Sequence, residues 1–300
     1  MSRENKRFWL KFLSLFSVIR GYNILIIVLA QYFASIFIMA HHLPVPEVVL
    51  DINLFLIVVS TALAIASGYL INNFYDSEKD LINRPKKTLL DNYVSQKTKL
   101  GVYFTLNFLS VIIASYVSFK AVLFFSSYIF LLWLYSHKIK RYPFLGTFTA
   151  GISAILPFFI IFVYYQNFEA VIIVHAVFLF FIILIRELVK DLENLKGDFT
   201  LDYATIPVKF SVGFTKRLIS ILVISTIIPA LILVLYFDSG YMDYYFLTCV
   251  VLLIIFLVQL WQSEAKIHYL ILHNLLKFVI VLGVFSIILI DVDEVIKRLF

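Results

Sequence analysis

The stretch that decides the fold is INLFLIVVSTALAIASGYLINNFYDSEKDLINRP, residues 52–85. Residues 52–71 contain no charged side chain, and a helix needs about 20 mostly apolar residues to cross the hydrocarbon core of a bilayer. Asn72, Asp76 and Asp80 then recur at every fourth position, which places them on one stripe of a helix. The stretch therefore predicts a membrane-spanning helix that ends in an acidic stripe.

The rest of the chain repeats the apolar pattern. Of its 300 residues, 62% are hydrophobic, whereas soluble domains average about 45–50% apolar residues. The apolar runs do not alternate with polar residues as the strands of a barrel would. They predict an all-α, polytopic membrane protein with nine transmembrane helices around a central cavity. The predicted spans are 22–40, 52–75, 101–118, 120–136, 145–165, 169–189, 217–237, 244–262 and 271–291.

The distribution of positive charge predicts the orientation. If the N-terminus is cytoplasmic, nearly all of the 25 Lys and Arg residues fall in cytoplasmic segments, as the positive-inside rule requires. Those segments are 1–21, 76–100, 137–144, 186–217 and 263–277. We therefore expect a multi-pass protein of the cell (inner) membrane, with its N-terminus and acidic helix ends on the cytoplasmic side. This asymmetry accounts for the net charge of +6, so no nucleic-acid partner is predicted.

Both chain ends have a distinct pattern. Residues 1–20 are basic and amphipathic and predict an N-terminal interfacial segment. The tail 291–300 predicts a solvated end or a short interfacial helix.

A second acidic cluster follows the sixth predicted span. It lies in IRELVKDLENLKGDFTLDYATIPV, residues 185–208, where Lys190, Asn194 and Asp198 repeat the four-residue spacing of the first cluster. Ordinary helix ends also carry acidic residues, but two clusters with one spacing at equivalent places favour function, since ionisable groups at the edge of a membrane are costly. The repetition suggests two halves that face each other across a central space.

Stacked carboxylates of this kind suit a hard divalent cation. Mg²⁺ binds carboxylate oxygens and usually completes its coordination shell with water and substrate phosphates. Basic residues near the clusters would add positive charge for a diphosphate; they are Arg84, Lys140, Arg141 and Lys190. Metal ions and cations together stabilise the charge that develops on a departing diphosphate.

The residues resemble a known family, the intramembrane prenyltransferases of the UbiA superfamily. Residues 72–80 are similar to its first motif, N-D-x-x-D-x-x-x-D, and residues 194–198 to its second, D-x-x-x-D. Shorter matches are Asn83–Pro85 for N-R-P, Tyr135 followed by Lys140 and Arg141, Thr205–Val208 for T-I-P-V, and Arg20–Asn23 for the opening R-P-x-N without its proline. The chain departs from the motifs at Asn73 and Asn194, where aspartate is usual; Asp191 or Glu193 would be the nearest compensating carboxylates.

The resemblance implies a single UbiA-type membrane domain over residues 1–300 and a prenyltransferase. The enzyme would transfer a prenyl group from a polyprenyl diphosphate to a lipophilic acceptor, with the prenyl tail in an aromatic tunnel open to membrane lipid. The implied Mg²⁺ ligands are Asp76, Asp80 and Asp198, with Asn72 and Asn194 as neutral ligands. The implied substrate-binding residues are Asn23, Asn72, Arg84, Lys140, Arg141, Lys190 and Asn194. Together with Asp76, Asp80 and Asp198, Tyr135 is an implied catalytic residue that would orient the diphosphate or steady the allylic cation.

The acceptor is indicated by the second cluster. KDLENLKGD followed by TIPV is most similar to the block of enzymes that add a second geranylgeranyl group to a glycerol-phosphate ether lipid, which favours a prenylglycerol phosphate. Aromatic acceptors of quinone biosynthesis (hydroxybenzoate, homogentisate or naphthoate) remain the alternative. A membrane transporter is the alternative from another class, although the charges gather at span ends rather than at the midplane where transporters bind. Membrane phosphotransferases also use stacked aspartates, but their D-G-x-x-A-R pattern is absent.

Overall fold

The structure is a computed structural model that describes residues 3–237 and 239–290. Over these ranges it is built of helices without a β-strand. Nine of the described helical segments are long and apolar enough to cross a membrane, which confirms the predicted all-α, nine-helix membrane architecture. They are Gly21–Met39, Ile52–Tyr75, Gln96–Val117, Phe119–His137, Leu145–Tyr165, Ala170–Glu193, Val212–Tyr236, Gly240–Gln262 and Lys266–Leu289. The predicted helix in the tail 291–300 lies outside the described residues.

The helices, in chain order, are α1 (Arg3–Val18), α2 (Gly21–Ala34), α3 (Val45–Val49), α4 (Ile52–Tyr75), α5 (Ser77–Asn83), α6 (Pro85–Asp91), α7 (Gln96–Val117), α8 (Phe119–His137), α9 (Leu145–Tyr165), α10 (Ala170–Glu193), α11 (Leu195–Thr200), α12 (Ile206–Lys209), α13 (Val212–Tyr236), α14 (Asp243–Gln262) and α15 (Lys266–Ser286). A π-helical segment, Ser35–Met39, continues α2. Single 3₁₀ turns lie at Ile139–Arg141, Gly240–Met242 and Ile287–Leu289.

Three spanning helices, α7, α13 and α15, begin five residues before their predicted spans, and two of them begin at a serine cap. The Ser95 hydroxyl accepts from the backbone N–H of Thr98 at 3.2 Å and caps α7, and Ser211 caps α13 through the N–H of Phe214 at 3.1 Å. Such N-caps satisfy a donor that the helix itself leaves unpaired. The hydrophobic count marks only the apolar portion of a helix, so it misses a polar first turn.

The chain forms two compact units. The first comprises the described residues up to Val28 together with Ile52–Ile139, and α4 packs in it against both α7 and α8. Gly68 permits a close approach to α8, because a Cβ at this position would lie 2.9 Å from Leu132 Cδ1. In the same unit α1 contacts α4 and α6. It exposes Trp9 and Phe12 while Ser14 and Val18 are buried, which is the two-sided pattern expected of an interfacial helix.

The second unit comprises Leu29–Asp51 and the described residues from Lys140 onward. Its central element is α10, which packs against α9, α13 and α15. Gly151 of α9 lies under the Phe180 side chain of α10. A Cβ added at Gly151 would lie only 2.7 Å from Phe180 Cε2. The C-terminal end of α10 carries the second acidic cluster, as the end of α4 carries the first one in the other unit.

Candidate functional site

The first acidic cluster is a stripe on two consecutive helices. Asp76 joins α4 to α5, and the Asn72 amide donates to the Asp76 carboxylate at 3.0 Å. The backbone N–H of Asp76 bonds to the carbonyl of Asn72 at 2.9 Å, and that of Asp80 to the carbonyl of Asp76 at 2.8 Å. The four-residue spacing therefore survives the change of helix. Arg84 continues it, with its N–H at 2.7 Å from the carbonyl of Asp80.

Asp80 lies in an environment that disfavours its charge. Its pKa is raised above the usual range, first by burial and second by the negative charge of Asp76; Arg84, Lys79 and Lys87 oppose the shift. Asp76 is itself 6% exposed, with Lys79 Nζ at 3.4 Å from its carboxylate. A buried carboxylate, Asp76, and a half-buried one, Asp80, repel each other, and the nearby cations do not fully offset this repulsion, so a bound cation would stabilise the site.

The second cluster is built in the same way. Asn194 joins α10 to α11, and its backbone N–H bonds to the carbonyl of Lys190 at 3.0 Å. The N–H of Asp198 bonds in turn to the carbonyl of Asn194 at 3.1 Å. Asn194 and Asp198 are buried, at 7% and 1% exposure. The Thr205 hydroxyl donates to the Asp198 carboxylate at 3.5 Å, so the T-I-P-V segment begins beside this cluster.

The two candidate compensating carboxylates differ. Glu193 turns toward α15, where one of its oxygens lies 2.7 Å from Nδ1 of His273, and both side chains are buried. Asp191 is partly exposed. The carboxylate of Glu193 is therefore engaged away from the stripe of Asn194 and Asp198.

Cations surround the second cluster. Arg141, in the turn after α8, places its guanidinium carbon 4.9 Å from the centroid of the Tyr203 ring, and the N–H of Tyr203 bonds to the Asp198 carbonyl at 2.9 Å. Lys140 beside it is buried. Lys190 Nζ lies 2.5 Å from one oxygen of Glu187, so its position is fixed by a carboxylate one turn earlier on α10.

Two further predicted residues lie in the first unit. The Asn23 amide donates to the Tyr69 hydroxyl at 3.2 Å, one turn of α4 before Asn72. Arg20 lies over the same ring, 5.1 Å from its centroid. Tyr135 is half-buried near the end of α8.

An apolar cavity lies in the first unit among α4, α7 and α8. Its volume is ≈ 410 Å³, and most of its lining is aromatic or aliphatic. Tyr75, which immediately precedes Asp76, contributes to the wall together with Phe104 and Trp133. An apolar chain can therefore be accommodated next to the residue that begins the acidic turn.

Sequence reasoning missed a buried polar network behind the first cluster. The side-chain oxygen Oδ1 of Asn73 accepts from Lys99 Nζ at 2.8 Å, and the side-chain Nδ2 of Asn73 donates to the Asp91 carboxylate at 3.3 Å. Asp91 also accepts from Lys87 Nζ at 2.6 Å and from the Ser17 hydroxyl at 2.9 Å. The network joins α1, α4, α6 and α7, and it anchors the far end of the segment that carries the acidic stripe. The sequence signal was a lysine, Lys99, placed directly before the apolar run that begins at Leu100.

The donor set fits Mg²⁺ in part. Within residues 3–237 and 239–290 no three His, Cys, Asp or Glu side chains lie together as a ready metal site. Each stripe offers carboxylate and amide oxygens, and Mg²⁺ is commonly bound through one or two carboxylates with waters and substrate phosphates as the other ligands. The residues present therefore fit a cation that arrives with a phosphorylated substrate.

Comparison with known proteins identifies the class. The model of the UbiA prenyltransferase family matches residues 23–268, so the chain belongs to this family. It is a multi-pass membrane prenyltransferase, and the family resemblance read from the two acidic motifs is confirmed.

Several curated relatives have one name. A digeranylgeranylglyceryl phosphate synthase of Methanobrevibacter smithii is 30% identical over 189 residues, which are 59% of this chain and 64% of the relative. That of Thermococcus sibiricus is 28% identical over 72% of this chain and 75% of its own length. That of Thermococcus gammatolerans is 29% identical over 81% of this chain and 86% of its own length.

Solved structures share the fold. A structure described as that of digeranylgeranylglyceryl phosphate synthase in membranes superposes with a TM-score of 0.69, at 19% identity, over 95% of this chain and 99% of its own. A UbiA homolog from Archaeoglobus fulgidus, bound to GPP and Mg²⁺, superposes with a TM-score of 0.64 at 15% identity, over 92% of this chain and 99% of its own.

Proposed function

We propose that the protein transfers a prenyl group from a polyprenyl diphosphate to the free hydroxyl of a prenylglycerol phosphate. The observation that carries the proposal is the pair of acidic stripes, each built with one spacing at the end of a spanning helix, in which Asp76, Asn194 and Asp198 are buried. The names of the curated relatives support the acceptor, because the relatives matched over most of their length are digeranylgeranylglyceryl phosphate synthases.

Each stripe has a role in binding the donor. Asp76 and Asp80, with Asn72, supply oxygens to Mg²⁺ from the first cluster. Asp198 and Asn194 supply them from the second. When bound, Mg²⁺ would offset the negative charge that develops on the diphosphate as its bond to the prenyl C1 breaks.

The cations near the stripes bind phosphate oxygens directly. Arg84 extends from the first stripe, and Lys140, Arg141 and Lys190 belong to the second unit. Arginine presents a planar fork of donors that matches phosphate, and lysine acts as a compact charge. These side chains orient the diphosphate so that the allylic C1 faces away from the charged stripe.

The remaining residues serve the organic part of the substrates. Tyr135 orients the diphosphate or steadies the allylic cation through its ring face, and Asn23 contacts substrate beside Tyr69. The cavity beside Tyr75 suits an isoprenoid chain, since its wall is apolar and aromatic. The acceptor hydroxyl attacks C1, diphosphate leaves, and the hydroxyl proton passes to a diphosphate oxygen.

The site lies on the cytoplasmic side of the cell membrane in this proposal. The support is the placement of nearly all Lys and Arg residues in alternate connections between spans. Substrates that are themselves membrane lipids would enter from the bilayer.

An acceptor panel tests the proposal. Purified protein receives geranylgeranyl diphosphate and Mg²⁺ with a prenylglycerol phosphate, hydroxybenzoate, homogentisate or a naphthoate, and lipid products are identified by mass. We expect the prenylated product only with the prenylglycerol phosphate. Transfer to an aromatic acceptor instead would assign the protein to quinone biosynthesis. Movement of a solute across the membrane without any prenylated product would favour the transporter hypothesis.

A further inference from the structure

Two charged residues of α10, Arg186 and Glu187, have no place yet in the proposed reaction. Arg186 lies inside the span Ala170–Glu193, two helical turns before Asn194. Its Nη2 lies 2.7 Å from Oε1 of Glu187, and Lys190 Nζ lies 2.5 Å from Oε2 of the same carboxylate. One carboxylate therefore fixes two cations, one on each oxygen. We call Arg186, Glu187 and Lys190 the α10 charge triad.

The charge and exposure of the triad point to an anionic ligand. The Glu187 side chain is 8% exposed, whereas those of Arg186 and Lys190 are 28% and 30% exposed. The buried member is the anion and the accessible members are the cations, so the triad presents a net charge of about +1 at its surface. Ionisable residues within a membrane span are costly and mark functional sites.

The depth of Arg186 and Glu187 separates these two residues from the donor diphosphate. Asn194 and Asp198 lie at and beyond the end of α10, whereas Glu187 lies about two turns, or roughly 10 Å, further into the span. An arginine at this depth would meet a group on the membrane side of the diphosphate.

The acceptor chemistry places a phosphate there. In the proposed reaction the acceptor hydroxyl must reach C1 of the donor, which lies on the membrane side of the diphosphate. In a prenylglycerol phosphate that hydroxyl is on the carbon next to the one that bears the phosphate ester. The acceptor phosphate is therefore held within a few ångströms of C1, at a depth where an uncompensated dianion would be strongly unfavourable.

We propose that Arg186, fixed by Glu187, binds the phosphomonoester of the acceptor and makes the enzyme select phosphorylated acceptors, while Lys190 on the other oxygen of Glu187 binds the donor diphosphate. The inference rests on the proposed function and adds to it the residues that recognise the acceptor. Glu187 acts as a positioning residue, because it touches the two cations rather than the substrate.

Binding without donor tests the triad directly. The parent protein and Arg186→Gln are titrated in detergent with a prenylglycerol phosphate and with the same prenylglycerol lacking its phosphate. Charge-assisted hydrogen bonds contribute about 1.5–3 kcal/mol, so we expect the variant to bind the phosphorylated lipid about 10–100-fold more weakly and the alcohol with unchanged affinity. Lys196→Gln, at an exposed lysine on α11, is the matched control and should bind both lipids as the parent does.

Two results would overturn the assignment. Equal weakening for both lipids would show that Arg186 does not recognise phosphate. Weakened binding of geranylgeranyl diphosphate with intact binding of the prenylglycerol phosphate would assign Arg186 to the donor. If Arg186→Gln does not fold, Arg186→Lys keeps the charge without the fork, and it should weaken binding of the phosphorylated lipid alone by about 3–10-fold.

The outcome is separable from that of the proposed function. A parent protein that prefers the phosphorylated lipid but forms no prenylated product would retain the phosphate site and refute the transfer reaction. A parent that forms the product, with an Arg186→Gln variant of unchanged KM for the prenylglycerol phosphate, would retain the reaction and refute the triad's role.

Discussion

Replacing Lys99 by methionine tests the polar network behind the first acidic stripe. Lys99 is 1% exposed, and its ammonium group donates to the side-chain carbonyl oxygen Oδ1 of Asn73 at 2.8 Å. Methionine keeps the length and apolar stem of the side chain but leaves that buried carbonyl without its donor, which costs about 1–3 kcal/mol. The loss of attraction to Asp91 is offset in part because an ammonium no longer has to be buried.

We therefore expect Lys99→Met to lower the free energy of unfolding by about 1–3 kcal/mol, measured by titrating mixed micelles with SDS and following helix content. Lys97→Met provides the control, since Lys97 is exposed in the same first turn of α7, and surface substitutions change stability by about 0.5 kcal/mol or less. Equal unfolding free energies for the two variants would refute the reasoning that the buried contact anchors α4 to α7.

Three predictions concern the acidic stripes. Asp76→Ala and Asp198→Ala should each abolish prenyl transfer while the protein still elutes as the folded parent does on size exclusion, and full activity of either variant would remove the metal-site hypothesis. Asn194→Asp restores the carboxylate usual in the family motif, so its activity at saturating Mg²⁺ should equal or exceed that of the parent; a large decrease would contradict a metal-ligand role. The pKa of Asp80 is raised by burial and by the charge of Asp76. The contribution of Asp80 to the stability of the folded protein is therefore complete below the ordinary aspartate pKa, and it is lost as the pH rises through the raised pKa. Asp80→Asn should therefore raise the melting temperature without Mg²⁺ at pH 7.5, and the gain should shrink as the pH is lowered toward 5; a gain independent of pH would exclude this cause.

The spanning helices and the two stripes were predictable because both depend on local sequence. About 20 apolar residues are needed for each span, and a four-residue spacing stays on one helical face whatever else the chain does. The stripe of Asp76 and Asp80 survives the junction between α4 and α5 for this reason. The starts of α7, α13 and α15 were placed too late, because a polar first turn belongs to the helix without adding hydrophobicity.

Contacts between distant residues could not be predicted from the spacing. Asn73 was noted only as a departure from a family motif, and its partner Lys99 lies 26 positions away. Glu193 was considered as a spare carboxylate, but its contact with His273 depends on how α10 packs against α15. Arg186 shares the four-residue spacing with Lys190, yet only the carboxylate of Glu187 shows that the two cations belong together.

The central claim is tested most directly by counting diphosphate released against prenylated lipid formed. Purified protein is given geranylgeranyl diphosphate and a prenylglycerol phosphate, with Mg²⁺ or with EDTA. We expect one diphosphate for each new ether-linked lipid in Mg²⁺ and neither product in EDTA. Diphosphate release without lipid product, or lipid product that persists in EDTA, would contradict the account.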